Sequence, residues 1–283
     1  MGRVIGTNRA LGHRRADWQT AVMLARSALF DVYGDHLRDR DRRATVAGLV
    51  RLLETVGIAA PAVRTAVSRM VSQGWLEPVT VDGARGYAAT TQAIRRLEDT
   101  SNRIYHLSSR EWDGCWHLVL LEPFSHRTTR TAVHRGLSFL GFAELSDRVW
   151  VSAWESLGLE ELLARAGARA TTAVVTDFSP ADAPLRAWDL PAIGAAYAEW
   201  LERQTTATRD QLNGDDDAER AAFAARFHLV HEFRKFLFTD PGLPAELLPA
   251  DWPGTAAAEW FREESARLAP ASRAFVARTM AGD

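Results

Sequence analysis

Arg64, Thr65, Ser68 and Arg69 stand close together in the chain, and no acidic residue occurs between Ala60 and Leu76. A guanidinium group donates paired hydrogen bonds to phosphate oxygens or guanine edges, and a short hydroxyl bonds phosphate oxygens. These residue types therefore suit the major groove of a nucleic acid. The bland alternative is an ordinary surface helix, since any exposed helix face is polar. Val63, Ala66, Val67, Met70 and Val71 recur at helical spacing and predict the element that presents them. Pro61 fits its first turn, where a backbone donor has no partner, and Gly74 closes its far end.

The neighbouring segments frame that helix. Val46, Leu49, Val50, Leu53 and Val56 predict a preceding helix that ends at Gly57, with Thr45 as its cap. The turn Gly57-Ile-Ala-Ala60 then joins two helices in a helix-turn-helix. Behind them, Trp75 to Val81 reads as a strand, Asp82 to Gly86 as a turn and Tyr87 to Thr90 as a return strand. That hairpin makes the module winged. Arg85 at its tip is a candidate phosphate or minor-groove contact, although the hairpin can equally close a small core. The candidate DNA-contacting set is Thr45, Arg64, Thr65, Ser68, Arg69 and Arg85. A first helix from Thr20 to about Gly34, a charged loop Arg38–Arg43 and a connector helix from Thr91 to His106 complete residues 20–106. Residues 1–19, with Arg3, Arg9, Arg14 and Arg15 against Asp17, read as a disordered tail.

Composition sets the wider frame. A chain of 283 residues suggests about two domains at ~150 residues each, with three small ones possible. An apolar fraction of 47% against 25% charged describes a globular protein with ample core. The net charge of -2 conceals an asymmetry: residues 1–106 hold 16 Arg and Lys against 10 Asp and Glu, whereas residues 107–283 hold 18 against 26. A basic front and an acidic rear suit a DNA-reading module joined to a part that avoids DNA. The single cysteine, Cys115, excludes an internal disulfide and a cysteine-based metal site. No apolar run approaches the ~20 residues that span a bilayer, and Arg26 interrupts the apolar stretch Ala21–Phe30, so no secretory signal is read there. The expectation is a cytoplasmic protein with no membrane partner.

Residues 107–189 read as strand, helix, two strands, helix, strand, the split βαβ order of a ferredoxin-like domain. The strands are Trp116–Leu121, Phe142–Leu145, Val149–Trp154 and Thr171–Thr176; the helices run from His126 to Leu140 and from Gly158 to Ala166. Residues 190–283 read as helical. Pro191–Leu212 forms one helix, the acidic Asp215, Asp216 and Asp217 cap the next, and Phe223, Phe227, Val230, Phe233, Phe236 and Leu237 line it. His228, His231 and Glu232 lie beside that stripe without another cluster of ligands, so they are read as core or pocket residues and no metal is expected.

The run Val63–Glu77, then Arg103-Ile-Tyr105 and Trp112–Trp116, resembles the phenylacetic-acid catabolon repressor family, the PaaX-type regulators. The likeness continues in Leu229–Phe236 and Leu243–Pro253. It implies an α+β dimeric transcriptional repressor with an N-terminal winged helix-turn-helix, a central ferredoxin-like domain similar to a small CRISPR-associated nuclease, and a helical C-terminal domain. It also implies release from operator DNA by an aryl-acyl-CoA thioester such as phenylacetyl-CoA, with no cofactor. One departure is plain: Val79–Tyr87 is less basic than the usual family wing. An acyl-CoA needs an apolar slot and cations, and Trp150, Trp154, Tyr197, Trp200, His231 and Arg234 supply that chemistry. In the nuclease relatives an acid at the end of the first strand binds metal. Glu122 stands near that point without a second clustered carboxylate, so a metal-dependent nuclease is the alternative and no catalytic residue is expected. A second alternative is a winged-helix interaction scaffold that does not read DNA.

Overall fold

The computed structural model describes residues 24–105 and 111–281. The expected tail, the first turn of the first helix and His106 lie outside those residues. The chain divides into two compact units. One takes residues up to Asn102 together with Gln204–Glu232 and the chain from Arg262 onward; the other takes Arg103–Arg203 and Phe233–Phe261. Residues 190–283 thus contribute to both. Among the described residues no helix is long and apolar enough to cross a membrane.

In the first unit, helical residues 24–31 (α1) bury Ala25, Ala28 and Leu29 and run into a π-helical turn, Val32–His36. Then come β1 (Arg43–Thr45), α2 (Val46–Glu54), α3 (Ala60–Ser72), β2 (Leu76–Val81), β3 (Ala84–Ala89) and α4 (Thr91–Tyr105). Helices α2 and α3 and the β2–β3 hairpin lie where the apolar spacing and the Asp-Gly pair put them. β1 was not expected. Its three residues lie in a charged stretch, yet they pair antiparallel with β3 and give the strand order β1-β3-β2. The approach depends on Gly86, where a Cβ would sit 2.6 Å from the Ala44 carbonyl oxygen. Backbone proximity, rather than side-chain pattern, recruits this strand.

The core of this unit is not made by the N-terminal segment alone. Leu49, Leu53, Val63, Val67 and Met70 pack in one cluster with Phe223 and Phe227 of α8 (Ala218–Phe233) and Phe275, Val276 and Met280 of α9 (Pro253–Ala281). Asp217 caps α8 as expected, accepting from the backbone N–H groups of Glu219 and Arg220 at 3.1 Å. Arg51 of α2 donates twice to the Thr279 carbonyl, at 3.2 and 2.8 Å.

The second unit holds β4 (Trp116–Leu121), α5 (Arg127–Phe139), β5 (Ala143–Ser146), β6 (Val149–Ser152), α6 (Leu159–Ala166) and β7 (Ala170–Val175). The antiparallel order β5-β6-β4-β7 is that of a split βαβ sheet. Alternation along β4 explains its two faces. Val119 and Leu121 meet Val133 and Leu137 of α5, while Trp116 and Leu118 join Val151, Trp188 and Leu243 on the other side. The α+β class and the ferredoxin-type centre therefore stand. The remaining long helix, α7, spans Leu190–Asn213.

Candidate nucleic-acid interface

α3 carries the expected two-sided character. Ala62, Val63, Ala66, Val67 and Met70 are buried, while Arg64, Ser68 and Arg69 are exposed. Among the described residues the Arg64 side chain makes no hydrogen bond or ion pair, so its guanidinium is available. Thr65 is half-buried and its hydroxyl donates to the Pro61 carbonyl at 2.9 Å, which leaves the oxygen able to accept. No acid lies in the first turn and no side chain caps it, so the positive end of the helix is uncompensated. Gly57 takes φ +78°, which lets the chain reverse between α2 and α3.

Two members of the candidate set are corrected. Thr45 is 3% exposed, and its hydroxyl oxygen accepts from the Gly48 N–H at 3.0 Å. Its side chain is buried and committed to the helix terminus. Arg85 is not at the wing tip. The turn is Asp82-Gly83, with φ of 51° and 81°, and Arg85 pairs with Thr80 within the ladder. Its guanidinium donates to the Tyr87 hydroxyl at 2.9 Å and lies 5.8 Å from the Tyr87 ring centre. The Asp-Gly signal closes the turn earlier than the basic residue, so the tip presents a carboxylate.

Three family models match in sequence order: PaaX-like protein over residues 24–93, PaaX protein central Cas2-like domain over 109–183, and PaaX-like protein C-terminal domain over 188–278. The chain is 30% identical over 261 residues to the Transcriptional repressor PaaX of Escherichia coli (strain K12), covering 88% of this chain and 82% of that protein. The chain belongs to the PaaX family. A solved structure, Uncharacterized protein Rv0674 from Mycobacterium tuberculosis, is similar with a TM-score of 0.57 and 25% identity, over 87% of this chain and 96% of the other.

Of the six residues assigned to an acyl-CoA effector in this PaaX-family chain, one borders the cleft of the second unit. That cleft is lined by Phe142, Trp150, Trp188 and Phe238 with Glu144 and Asp240, so only Trp150 of the six borders it. Trp154 donates its indole N–H to the Gly242 carbonyl at 2.5 Å. Tyr197 is buried, stacks on Phe236 at 3.8 Å and donates to Asp240 at 2.5 Å. Burial, reinforced by the Asp240 charge, raises its phenol pKa well above the ordinary tyrosine value. Trp200 packs against Phe233 and Trp260. Arg234 is half-buried in the turn Arg234–Phe238. His231 belongs to the other unit and bonds Asp31 at 2.6 Å. Spacing along α7 and α8 placed the aromatics on packing faces, which residue type alone does not distinguish from a pocket.

Glu122 is likewise occupied. Arg169 donates to its carboxylate from Nε at 2.9 Å. Among the described residues no group of three or more His, Cys, Asp or Glu is placed to hold a metal ion. His228 contacts Gln211 at 3.0 Å, separately from the His231–Asp31 pair. Burial, with the neighbouring His231 adding to it, lowers the His228 pKa.

Proposed function

We propose that this chain is a DNA-binding transcriptional repressor of aromatic-compound catabolism, phenylacetate or a related acid, acting as a homodimer and released by an aryl- or acyl-CoA thioester. The observation that carries the reading is the acid-free Arg64, Ser68 and Arg69 side of α3, exposed on a helix whose other side is buried. Membership in a family that includes a transcriptional repressor supports it. Two recognition helices about 34–36 Å apart would read two half-sites one DNA turn apart. A thioester that prefers a state with different spacing lowers operator affinity by its differential binding. The aromatic lining of the cleft in the second unit supports an aryl guest there, while Glu144 and Asp240 would turn the phosphates of such a ligand away from it.

β7 supports the homodimer. Among the described residues it pairs with β4 on one side only, and Thr171, Thr172, Ala173 and Val174 are exposed. It carries no charge or proline to blunt its edge, in contrast to β5 at the opposite edge, which has a bulge and Glu144. The test is fluorescence anisotropy on a duplex enriched from a random pool by the wild-type protein. Wild type should prefer it to random duplex by at least ~10³. Arg64→Ala and Arg69→Ala should weaken binding about tenfold or more at constant salt with the fold intact, since each loses a guanidinium contact. Phenylacetyl-CoA, but not free phenylacetate, should release the wild-type complex. Unchanged affinity in both variants removes α3 from the interface, and an unresponsive complex removes the thioester.

A further inference from the structure

The end of the central sheet at which β4 finishes gathers arginines from three further segments. The Leu121 N–H donates to the carbonyl of Arg148 in the β5–β6 turn at 2.8 Å, and the Glu122 N–H donates to the carbonyl of Arg169 in the α6–β7 loop at 2.9 Å. The chain then enters α5 at Arg127, and Arg130 follows within the first turn. The carboxylates at this end already have cations: Glu122 is bridged by Arg169 at 2.8 Å, and Asp147 lies 3.7 Å from Arg148. Arg127 and Arg130 are exposed and, among the described residues, their guanidinium groups have no hydrogen bond or ion pair.

Their placement opposes helix stability. α5 has no acid in its first turn and no side-chain cap, so two cations sit beside the positive end of the helix dipole. An anion bound at this point offsets both the dipole and the mutual repulsion. The local composition repeats that of α3. From Phe124 to Ala143 no acid occurs, and Arg127 and Arg130 are interspersed with Ser125, Thr128 and Thr131. This lies within the half of the chain that is acidic overall, so it is a local feature and not a consequence of bulk charge.

We propose that Arg127 and Arg130 grip the sugar-phosphate backbone of duplex DNA, as a second contact surface separate from α3. The proposal rests on the DNA-binding reading above. It assigns α5 no part in base recognition, because phosphates are the same in every sequence.

The full-length protein is tested by anisotropy on its enriched duplex and on random duplex, between about 50 and 200 mM salt. The Arg127→Gln/Arg130→Gln double variant should weaken both duplexes by a common factor of about tenfold and reduce the salt slope by about 2 per bound chain. Its preference for the enriched duplex should persist, and its thermal midpoint should not fall, because the removed charges faced the positive helix end. Arg127→Lys/Arg130→Lys should recover most of the slope, since the charge is retained. An unchanged slope alongside normal wild-type binding overturns this contact while leaving the α3 reading standing. Wild-type protein that binds neither duplex overturns both, and a double variant that loses only the enriched duplex overturns the backbone assignment.

Discussion

Thr45 illustrates how one hydroxyl can be matched to two different roles. Threonine before an amphipathic helix is both a good cap and a plausible phosphate ligand, and burial decides between them. With its oxygen accepting from Gly48, Thr45→Ala should cost about 1 kcal/mol in equilibrium denaturation. DNA affinity of the folded variant should match wild type; an affinity loss in fully folded protein would return Thr45 to the interface. Arg64 is the opposite case. It has the same kind of neighbours in sequence but points out of the core without a partner, so its chemistry remains available.

The π-helical turn Val32–His36 joins the first helix to α8 and α9. Arg226 of α8 grips the Asp35 carboxylate, His231 bonds Asp31, and the Ser272 hydroxyl lies 3.4 Å from His36 Nδ1. π-turns commonly mark places where a helix is adapted to a specific contact. His36 lies against Phe223, with ring centres 4.9 Å apart. Burial pushes its pKa down to about 4; Asp35 opposes that shift and Arg226 adds to it. The unfolded chain binds this proton near pH ~6.5, whereas the folded protein resists it to about 4. Stability from this group is therefore complete above pH ~6.5 and declines below it by up to about 1.4 kcal/mol per unit until about pH 4. In urea titrations across that range, His36→Gln should show a shallower decline than wild type. Equal slopes would mean that another group carries the acid sensitivity.

For the whole molecule, the division into units bears directly on how a repressor can be built. The unit that carries α3 takes part of its core from residues far along the chain, Phe223, Phe227, Phe275, Val276 and Met280. Anything that alters α8 or α9 therefore acts on the packing beneath α3. The other unit offers the bare edge of β7. Val174 is 63% exposed there, and pairing of this edge with a second copy would cover it. Sedimentation velocity should find wild type dimeric at micromolar concentration and Val174→Lys weakened about 100-fold in self-association, because two added like charges would be brought together at the paired edges. A monomeric wild type would exclude the homodimer.

Local pattern made most of the elements legible. Apolar residues at i, i+3 and i+4 located α2, α3 and α5, and Trp116–Leu121 was bounded as the structure has it. Asp-Gly located the hairpin, and the order of strands and helices was enough for the split βαβ sheet. These features depend on short-range periodicity and turn chemistry, which the amino-acid order carries directly. The order also carried the acid-free arginine side of α3. Tertiary structure alone decided β1, which exists because Gly86 admits the Ala44 carbonyl. It also moved Arg85 onto Tyr87 and committed Tyr197 and Trp200 to packing. Likewise it divided residues 190–283 between two units. Each of these depends on which distant segment fills the space beside a side chain, and that space is set by the packed fold, not by neighbours in sequence.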